Sequence, residues 1–194
     1  MEGIEGVTTK VLARLQEAMP AKLAELRIRY GVEDGSLEDI TTWLTHEPDD
    51  IGVDTPPMVV VTEQESDIVS GPERIHDDGA GGATYRFRYR IGVFAWARGD
   101  TFDSTARARA RYGLAVREIL LQKIGLGDPD PGTCVLDPAW IVETYSSIGR
   151  DGISREVIAA TALVLKYETQ EWLAPRTAPL GVAGSIPPDV GIGP

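Results

Sequence analysis

The chain has 194 residues, of which 42% are hydrophobic and 25% charged, and it carries a net charge of −11 with a pI near 4.6. This composition is typical of a globular protein with one substantial core, and the acidic balance argues against a broad surface that binds nucleic-acid phosphates. The single cysteine, Cys134, excludes a disulfide framework, and no apolar run approaches the roughly 20 residues needed to span a bilayer.

Charge is distributed unevenly along the chain. Residues 1–83 carry 6 basic and 18 acidic side chains, residues 84–123 carry 9 and 3, and residues 124–194 carry 4 and 9. A basic middle between acidic flanks can be neutralised within one fold or between copies of it.

The first predicted element is a helix over residues 7–30. Its apolar residues recur at spacings of three and four, and they are Val7, Val11, Leu15, Met19, Leu23, Leu26 and Tyr30. Pro20 predicts either a kink or the start of a second helix, and Gly31 is suited to the C-terminal stop. Residues 31–57 are acidic and rich in turn residues, so we expect a loop with one short turn around residues 37–44.

Two strands are expected next, at Met58–Glu65 and Thr84–Arg98. The second alternates with period two over fifteen residues, which gives one apolar face and one face that is basic at its start and aromatic at its end. Because fifteen residues is long for a strand, we expect a bend or bulge near Gly92.

A second helix is expected to begin at an N-cap on Asp100 or Thr101 and to run to about Lys123. Its predicted apolar face comprises Phe102, Ala106, Ala110, Gly113, Leu114, Leu120, Leu121 and Ile124. After a turn over residues 127–132, two further strands, Ala139–Ile148 and Glu156–Glu171, are expected to form a hairpin through residues 149–152.

The predicted fold class is therefore α+β, in the order α-β-β-α-β-β, with helices on one face of a mostly antiparallel sheet of about four strands. Residues 1–173 form the single expected domain. Residues 174–194 contain five prolines and four glycines, which predicts an extended C-terminal arm.

Candidate catalytic and metal-binding residues do not form a recognisable pattern. His46 and His76 lack further ligands at a metal-binding spacing, and Asp128 to Gly132 is a turn rather than a calcium loop. The glycines at 79–82 precede a strand and lack the lysine of a phosphate loop, and Cys134 is expected to be a small buried residue. We therefore expect a protein that is not an enzyme and that needs no cofactor or metal.

The order of the elements and the sequence of the central segments resemble a known family. These segments are Tyr30-Gly31 at the end of the first helix, Val93 to Asp100 (VFAWARGD) at the end of the long strand, and Tyr112 to Leu120 (YGLAVREIL) in the second helix. Over residues 5–173 the chain resembles the tail-terminator, or tail-completion, proteins of long-tailed bacteriophages.

This resemblance implies a structural subunit of the virion that assembles in the cytoplasm of the bacterial host. Its copies form a ring, commonly a hexamer, which caps the tail tube and ends its polymerisation. The expected partners are other copies of the chain, the tail tube protein and a head-closure or neck protein, while DNA passes through the ring without specific binding and no membrane is involved. The acidic segment at 31–57 and the arm at 174–194 have no counterpart in the family pattern.

Candidate interface residues follow from the charge segregation. We expect Arg86, Arg88, Arg90, Arg107 and Arg111 to contact the acidic N-terminal segment of a neighbouring copy. The alternative is cross-strand pairing with Glu63 and Glu65 in the same subunit, together with a helix face that is simply solvated. Phe94 and Trp96, on the otherwise polar face of their strand, are candidate anchors for a partner, and the alternative is burial under the N-terminal helix.

Two other functions stay open at this point. One is another neck component, such as a head-closure (stopper) or head–tail connector protein. The other is a small cytoplasmic enzyme or ligand-binding α+β domain, which a deep pocket with converging polar groups would favour.

Overall fold

Two long helices and a mixed β-sheet build this α+β fold, which we describe from a computed structural model. The structure describes residues 3–32, 36–46, 56–69, 76–77, 83–127, 134–146, 149–150 and 157–173. The expected turns at 127–132 and 149–152, the glycines at 79–82 and the arm at 174–194 lie wholly or largely outside these residues.

Helix α1 (Gly3–Tyr30) is continuous and contains Pro20, so of the two alternatives for this proline the start of a second helix is excluded. The predicted apolar stripe is confirmed from Val7 to Leu26, where its residues are 0–1% exposed. It was wrong for Tyr30, which is 46% exposed at the end of the helix and packs its ring against Arg111. Gly31 ends the helix with a φ of +59°, a left-handed conformation that suits glycine. The N–H of Val32 donates to the carbonyl oxygen of Arg27 over 3.0 Å, which satisfies one of the last carbonyls of the helix.

Helix α2 (Phe102–Gln122) begins at Thr101, one of the two predicted caps. The backbone N–H of Ser104 donates to the Thr101 hydroxyl over 3.1 Å, and the N–H of Thr101 donates back to the Ser104 hydroxyl over 3.2 Å. This reciprocal pair is a capping box, in which serine replaces the usual glutamate.

The predicted buried face of α2 was largely wrong. Phe102, Leu121 and Ile124 are exposed, whereas the buried side chains of the helix are Thr105, Ala108, Tyr112, Ala115, Val116, Ile119 and Leu120. The prediction failed because two polar-tipped residues lie inside. The Tyr112 hydroxyl donates to the carbonyl oxygen of Glu38 over 2.9 Å, and the Thr105 hydroxyl donates to that of Thr101 over 2.8 Å.

Within the described ranges, the sheet contains six strands of three or more residues and two segments of only two residues. The longer strands are β1 (Thr42–Leu44), β2 (Met58–Ile68), β4 (Ala83–Gly99), β5 (Cys134–Leu136), β6 (Val142–Tyr145) and β8 (Val157–Leu173). The short segments are β3 (His76–Asp77) and β7 (Gly149–Arg150). The chain therefore has more strands than the predicted order α-β-β-α-β-β allowed.

The spatial order is β1-β2-β4-β8, and β5, β6 and β7 follow one another along the far side of β8. β1 is parallel to β2, while every other described pair is antiparallel, so the sheet is mixed. β4 and β8 pair over their full length, from Ala83 opposite Leu173 to Gly99 opposite Val157.

The predicted irregularity near Gly92 lies in the partner strand. The register of β2 shifts between Glu63 and Glu65, which places an extra residue, Gln64, in β2. A Cβ at position 92 would lie 2.5 Å from the Gln64 Nε2, so glycine leaves room for this side chain.

Both helices pack on one face of the sheet, as predicted, and enclose the main core. Core side chains of the central strands include Val59, Val61, Val93, Leu163 and Tyr167. Neither described helix is long and apolar enough to cross a membrane.

Candidate interaction surfaces

The sheet has one face beneath the two helices and an opposite face on which neither described helix packs. Along β4, the side chains of Val93, Ala95 and Ala97 belong to the core under the helices, so the intervening side chains of Phe94 and Trp96 lie on the opposite face. We call this opposite side of the sheet the outer face. It divides along the strands into a charged half and an apolar half.

The charged half contains Arg86, Arg88 and Arg90. Arg88 is bound to Glu168 of β8 over 2.7 Å, and Arg90 is bound to Glu65 of β2 over 2.6 Å. The alternative of pairing within one subunit therefore holds for Arg90 and Glu65, whereas Glu63 forms no ion pair with any described residue. Both arginines keep about a third or more of their side-chain surface exposed, at 35% and 40%.

The other two candidate arginines lie on the helix side of the molecule. Arg107 is 65% exposed and is paired with Asp103 one turn earlier in α2. The guanidinium carbon of Arg111 lies 5.0 Å from the centroid of the Tyr30 ring, a cation–π contact between the two helices. The five candidate arginines are thus split between two faces, and their role between subunits stays a prediction.

The apolar half of the outer face contains the two candidate anchors. Phe94 lies between Val60 and Ala162 of the neighbouring strands, and Trp96 lies between Met58 and Ala160. Both aromatic residues are half-buried, and neither belongs to the core under α1 and α2. Burial beneath the N-terminal helix, the alternative for these residues, was wrong.

A third surface, along β6, was not recognised in the sequence. Trp140, Val142 and Tyr145 are 49–52% exposed at this edge of the sheet. Each aromatic ring has a cation beside it, since the Lys166 Nζ lies 3.2 Å from the centroid of Trp140 and the Arg109 guanidinium carbon lies 5.0 Å from that of Tyr145. We call this the aromatic–cationic edge.

Hydrogen bonds fix the geometry of the aromatic–cationic edge. The Tyr145 hydroxyl donates to the Glu143 carboxylate over 2.7 Å, and this bond raises the pKa of the tyrosine. Arg117 binds the other oxygen of Glu143, also over 2.7 Å, so that carboxylate is already neutralised. Arg109 donates through one terminal nitrogen to the Ser146 carbonyl oxygen, but its buried Nε has no hydrogen-bond partner among the residues that the structure describes.

The only sequence signal for this edge was the density of large apolar residues between Pro138 and Tyr145. These residues were instead assigned to the expected strand at 139–148. Pro138 instead begins a short 3₁₀ helix, Pro138–Trp140, and the strand is confined to Val142–Tyr145.

A small cavity lies at the start of α2, with a volume of about 140 Å³. Its lining includes Glu38, Arg98 and Tyr112. Arg98 and Glu38 pair with each other over 3.4 Å, and Tyr112 donates to the Glu38 carbonyl oxygen, so the polar groups of the cavity bind one another. Pockets for small ligands usually measure about 300–1,000 Å³.

The residues singled out for chemistry are dispersed. Cys134 is 1% exposed in the core, as predicted, and Ser104 belongs to the cap of α2. His76 lies in β3 and His46 is exposed after β1. Within the described ranges, no three histidine, cysteine or acidic side chains are close enough together to hold a metal ion.

We compared the sequence with protein-family models and with curated proteins. No protein-family model matches the sequence, and no curated protein matches it either.

Proposed function

We propose that this chain is a structural virion protein of a long-tailed bacteriophage. Copies of it form a ring, of six subunits in the expected form, that caps the tail tube, ends its polymerisation and presents a surface for joining the head. Its partners are the tail tube protein on one side and a head-closure or neck protein on the other. In this role the protein acts through the shape and the surface of the assembled ring, and it needs no catalytic side chains.

The observation that supports this proposal most directly is a pair of partly exposed aromatic side chains on the outer face, Phe94 and Trp96. Met58 is 0% exposed and Val60 is 2% exposed there, although neither belongs to the core beneath the helices. Phe94 and Trp96 lie beside them and keep part of their surface accessible. An apolar patch rimmed by charged residues, here Arg88, Glu65 and Glu168, is typical of a surface that contacts another protein.

The resemblance to tail terminators indicates which proteins this surface would contact. The long strand β4 is followed at once by α2, and the chain returns to pair β8 along the whole of β4. These elements are the part of the predicted order α-β-β-α-β-β that the structure reproduces, and the additional strands were not expected. The net charge of −11 is also compatible with a ring that DNA must traverse, because an acidic lumen does not retain phosphate.

The test is electron microscopy of phage particles assembled without this chain. Abnormally long tails, or tails without heads, are expected for a missing terminator, and supplying the chain in trans should restore tails of normal length. Heads that leak DNA beside separate tails of normal length would instead identify a stopper or connector. Normal virions would overturn any structural role.

A further inference from the structure

The two opposite edges of the sheet differ in shape and charge. On one edge, β1 covers β2 only at Met58–Val60, and no described strand lies beside the stretch from Glu63 to Ile68. All six residues of this stretch are exposed. We call it the acidic edge, because it carries Glu63, Glu65 and Asp67. An uncovered strand of this kind presents free N–H and C=O groups that can pair with another chain.

The aromatic–cationic edge lies on the opposite side of the same sheet. β6 pairs with β8 on one side only, and no described strand lies on its other side. In copies placed side by side in the same orientation, β6 of one copy and β2 of the next run antiparallel. They can extend the sheet across the boundary, in the manner of strand addition, when the copies are shifted along the strands. The shift is required because β6 pairs with Thr161–Val164, whereas the stretch from Glu63 to Ile68 lies level with residues 165–169 of β8.

The two edges carry complementary charges that form no ion pair among the described residues, although Glu65 of the acidic edge is paired with Arg90. In the part of the chain that the structure describes, Glu63 and Asp67 form no ion pair, and Arg109 and Lys166 contact aromatic rings but form no ion pair. The buried Nε of Arg109 also lacks a hydrogen-bond partner.

On each face of the sheet, an anion of the acidic edge has a cation of the aromatic–cationic edge on the same side. Glu63 lies opposite Ile91, whose side chain belongs to the core, so Glu63 is on the helix side, as is Arg109 of α2. Asp67 lies opposite Arg88 and Lys166 lies opposite Arg90, which places both on the outer face. A head-to-tail contact between the edges would thus join each anion to a cation on its own side of the sheet.

From these observations we propose that the acidic edge of one copy docks on the aromatic–cationic edge of the next. The inference rests on the proposed ring, and it names the surfaces that close it. Such a contact is heterologous, because two different patches of the chain meet, and heterologous contacts generate a ring when the rotation between copies closes.

Two charge-reversed variants test the contact. One replaces the unpaired anions (E63K and D67K), and the other replaces the cations (R109E and K166E). Each variant alone should associate at least about tenfold more weakly than the wild type in sedimentation velocity, because like charges then face each other. An equal mixture of the two should recover rings, since each interface in an alternating ring joins opposite charges. The mixture would not recover if either edge were uninvolved.

A matched control carries E5K and E17K, which change the net charge equally on exposed residues of α1, and it should assemble like the wild type. Circular dichroism establishes that each variant is folded, and the single changes D67K and K166E form a second complementary pair if R109E disturbs α2. Variants that form rings alone, a mixture that does not recover, or a wild type that stays monomeric at high concentration would each overturn the inference. Tail length in particles without the chain still decides the proposed function separately.

Discussion

At the scale of single residues, the most demanding site is Glu171, which is only 5% exposed. Its carboxylate accepts a hydrogen bond from the Tyr89 hydroxyl over 2.6 Å and another from the backbone N–H of Gly3 over 3.1 Å. Burial and the adjacent carboxylate raise the pKa of Tyr89, so the phenol remains a donor. A buried carboxylate that lost these donors would be costly, which makes the pair important for stability.

We predict that Tyr89→Phe lowers the free energy of unfolding by about 1–3 kcal/mol, because it leaves a buried acceptor short of one donor. The matched control is Tyr145→Phe, which removes a similar hydrogen bond to Glu143 at a tyrosine that is 52% exposed. This control should change stability by no more than about 0.5 kcal/mol. Urea denaturation measures the free energy of unfolding of both variants. If both lose the same small amount, burial of the Tyr89–Glu171 pair does not contribute to stability.

At the scale of elements, an ion network joins the two helices. The Lys22 ammonium, on a side chain that is 6% exposed, lies 2.6 Å from Glu25 of α1 and 3.2 Å from Glu118 of α2. Arg29 of α1 binds Glu118 over 2.8 Å. The hydrogen bonds from Arg29 and Lys22 lower the pKa of Glu118, and the bond to Glu25 raises the pKa of Lys22.

The lowered pKa of Glu118 predicts a contribution to acid stability. Because the folded state holds the proton less tightly than the unfolded chain, this contribution is present above pH 4.5, the ordinary glutamate value, and is lost as pH falls through the lower folded value. In the Glu118→Gln variant, the free energy of unfolding should therefore decrease less steeply as the pH is lowered below 4.5. Thermal melts across the acid range measure the slope, and Glu17→Gln, at an exposed glutamate of α1, should leave it unchanged.

Elements with long, regular periodicity were predictable from the sequence, and short or mixed ones were not. Alternation over Thr84–Arg98 identified β4, and the stripe from Val7 to Leu26 identified α1, because each pattern spans many residues. β1 has three residues and depends on its parallel pairing with Met58–Val60, which no local pattern records. The face of α2 was misjudged because Tyr112 is buried with its hydroxyl satisfied by the distant Glu38.

The candidate surfaces were predictable to a similar degree. Alternation placed Arg88, Arg90 and Trp96 on the face of β4 opposite the core. It could not identify Glu168 as the partner of Arg88, because that depends on the register between β4 and β8. The aromatic–cationic edge was missed because Lys166 and Trp140 come together only when β8 pairs with the chain that precedes it.

At the scale of the whole molecule, the two faces of the sheet are expected to have different roles. The inner face encloses the core, where Leu163 is fully buried, and the outer face leaves Phe94 and Trp96 partly accessible beside it. A partly exposed side chain stabilises the monomer less than a buried one, but it remains available to another protein. Stability and assembly should therefore respond to different substitutions.

We predict that Leu163→Ala lowers the free energy of unfolding by about 2–5 kcal/mol, because it opens a cavity in the core, while the folded fraction still binds its partners. The double variant F94A and W96A should remain folded under the same conditions, yet it should fail to cap tail tubes. Denaturation measures stability, and electron microscopy of tails complemented with each variant measures capping by tail length. A double variant that restores normal tails would remove Phe94 and Trp96 from the partner surface. Loss of capping by the folded Leu163 variant would contradict the separation of the two faces.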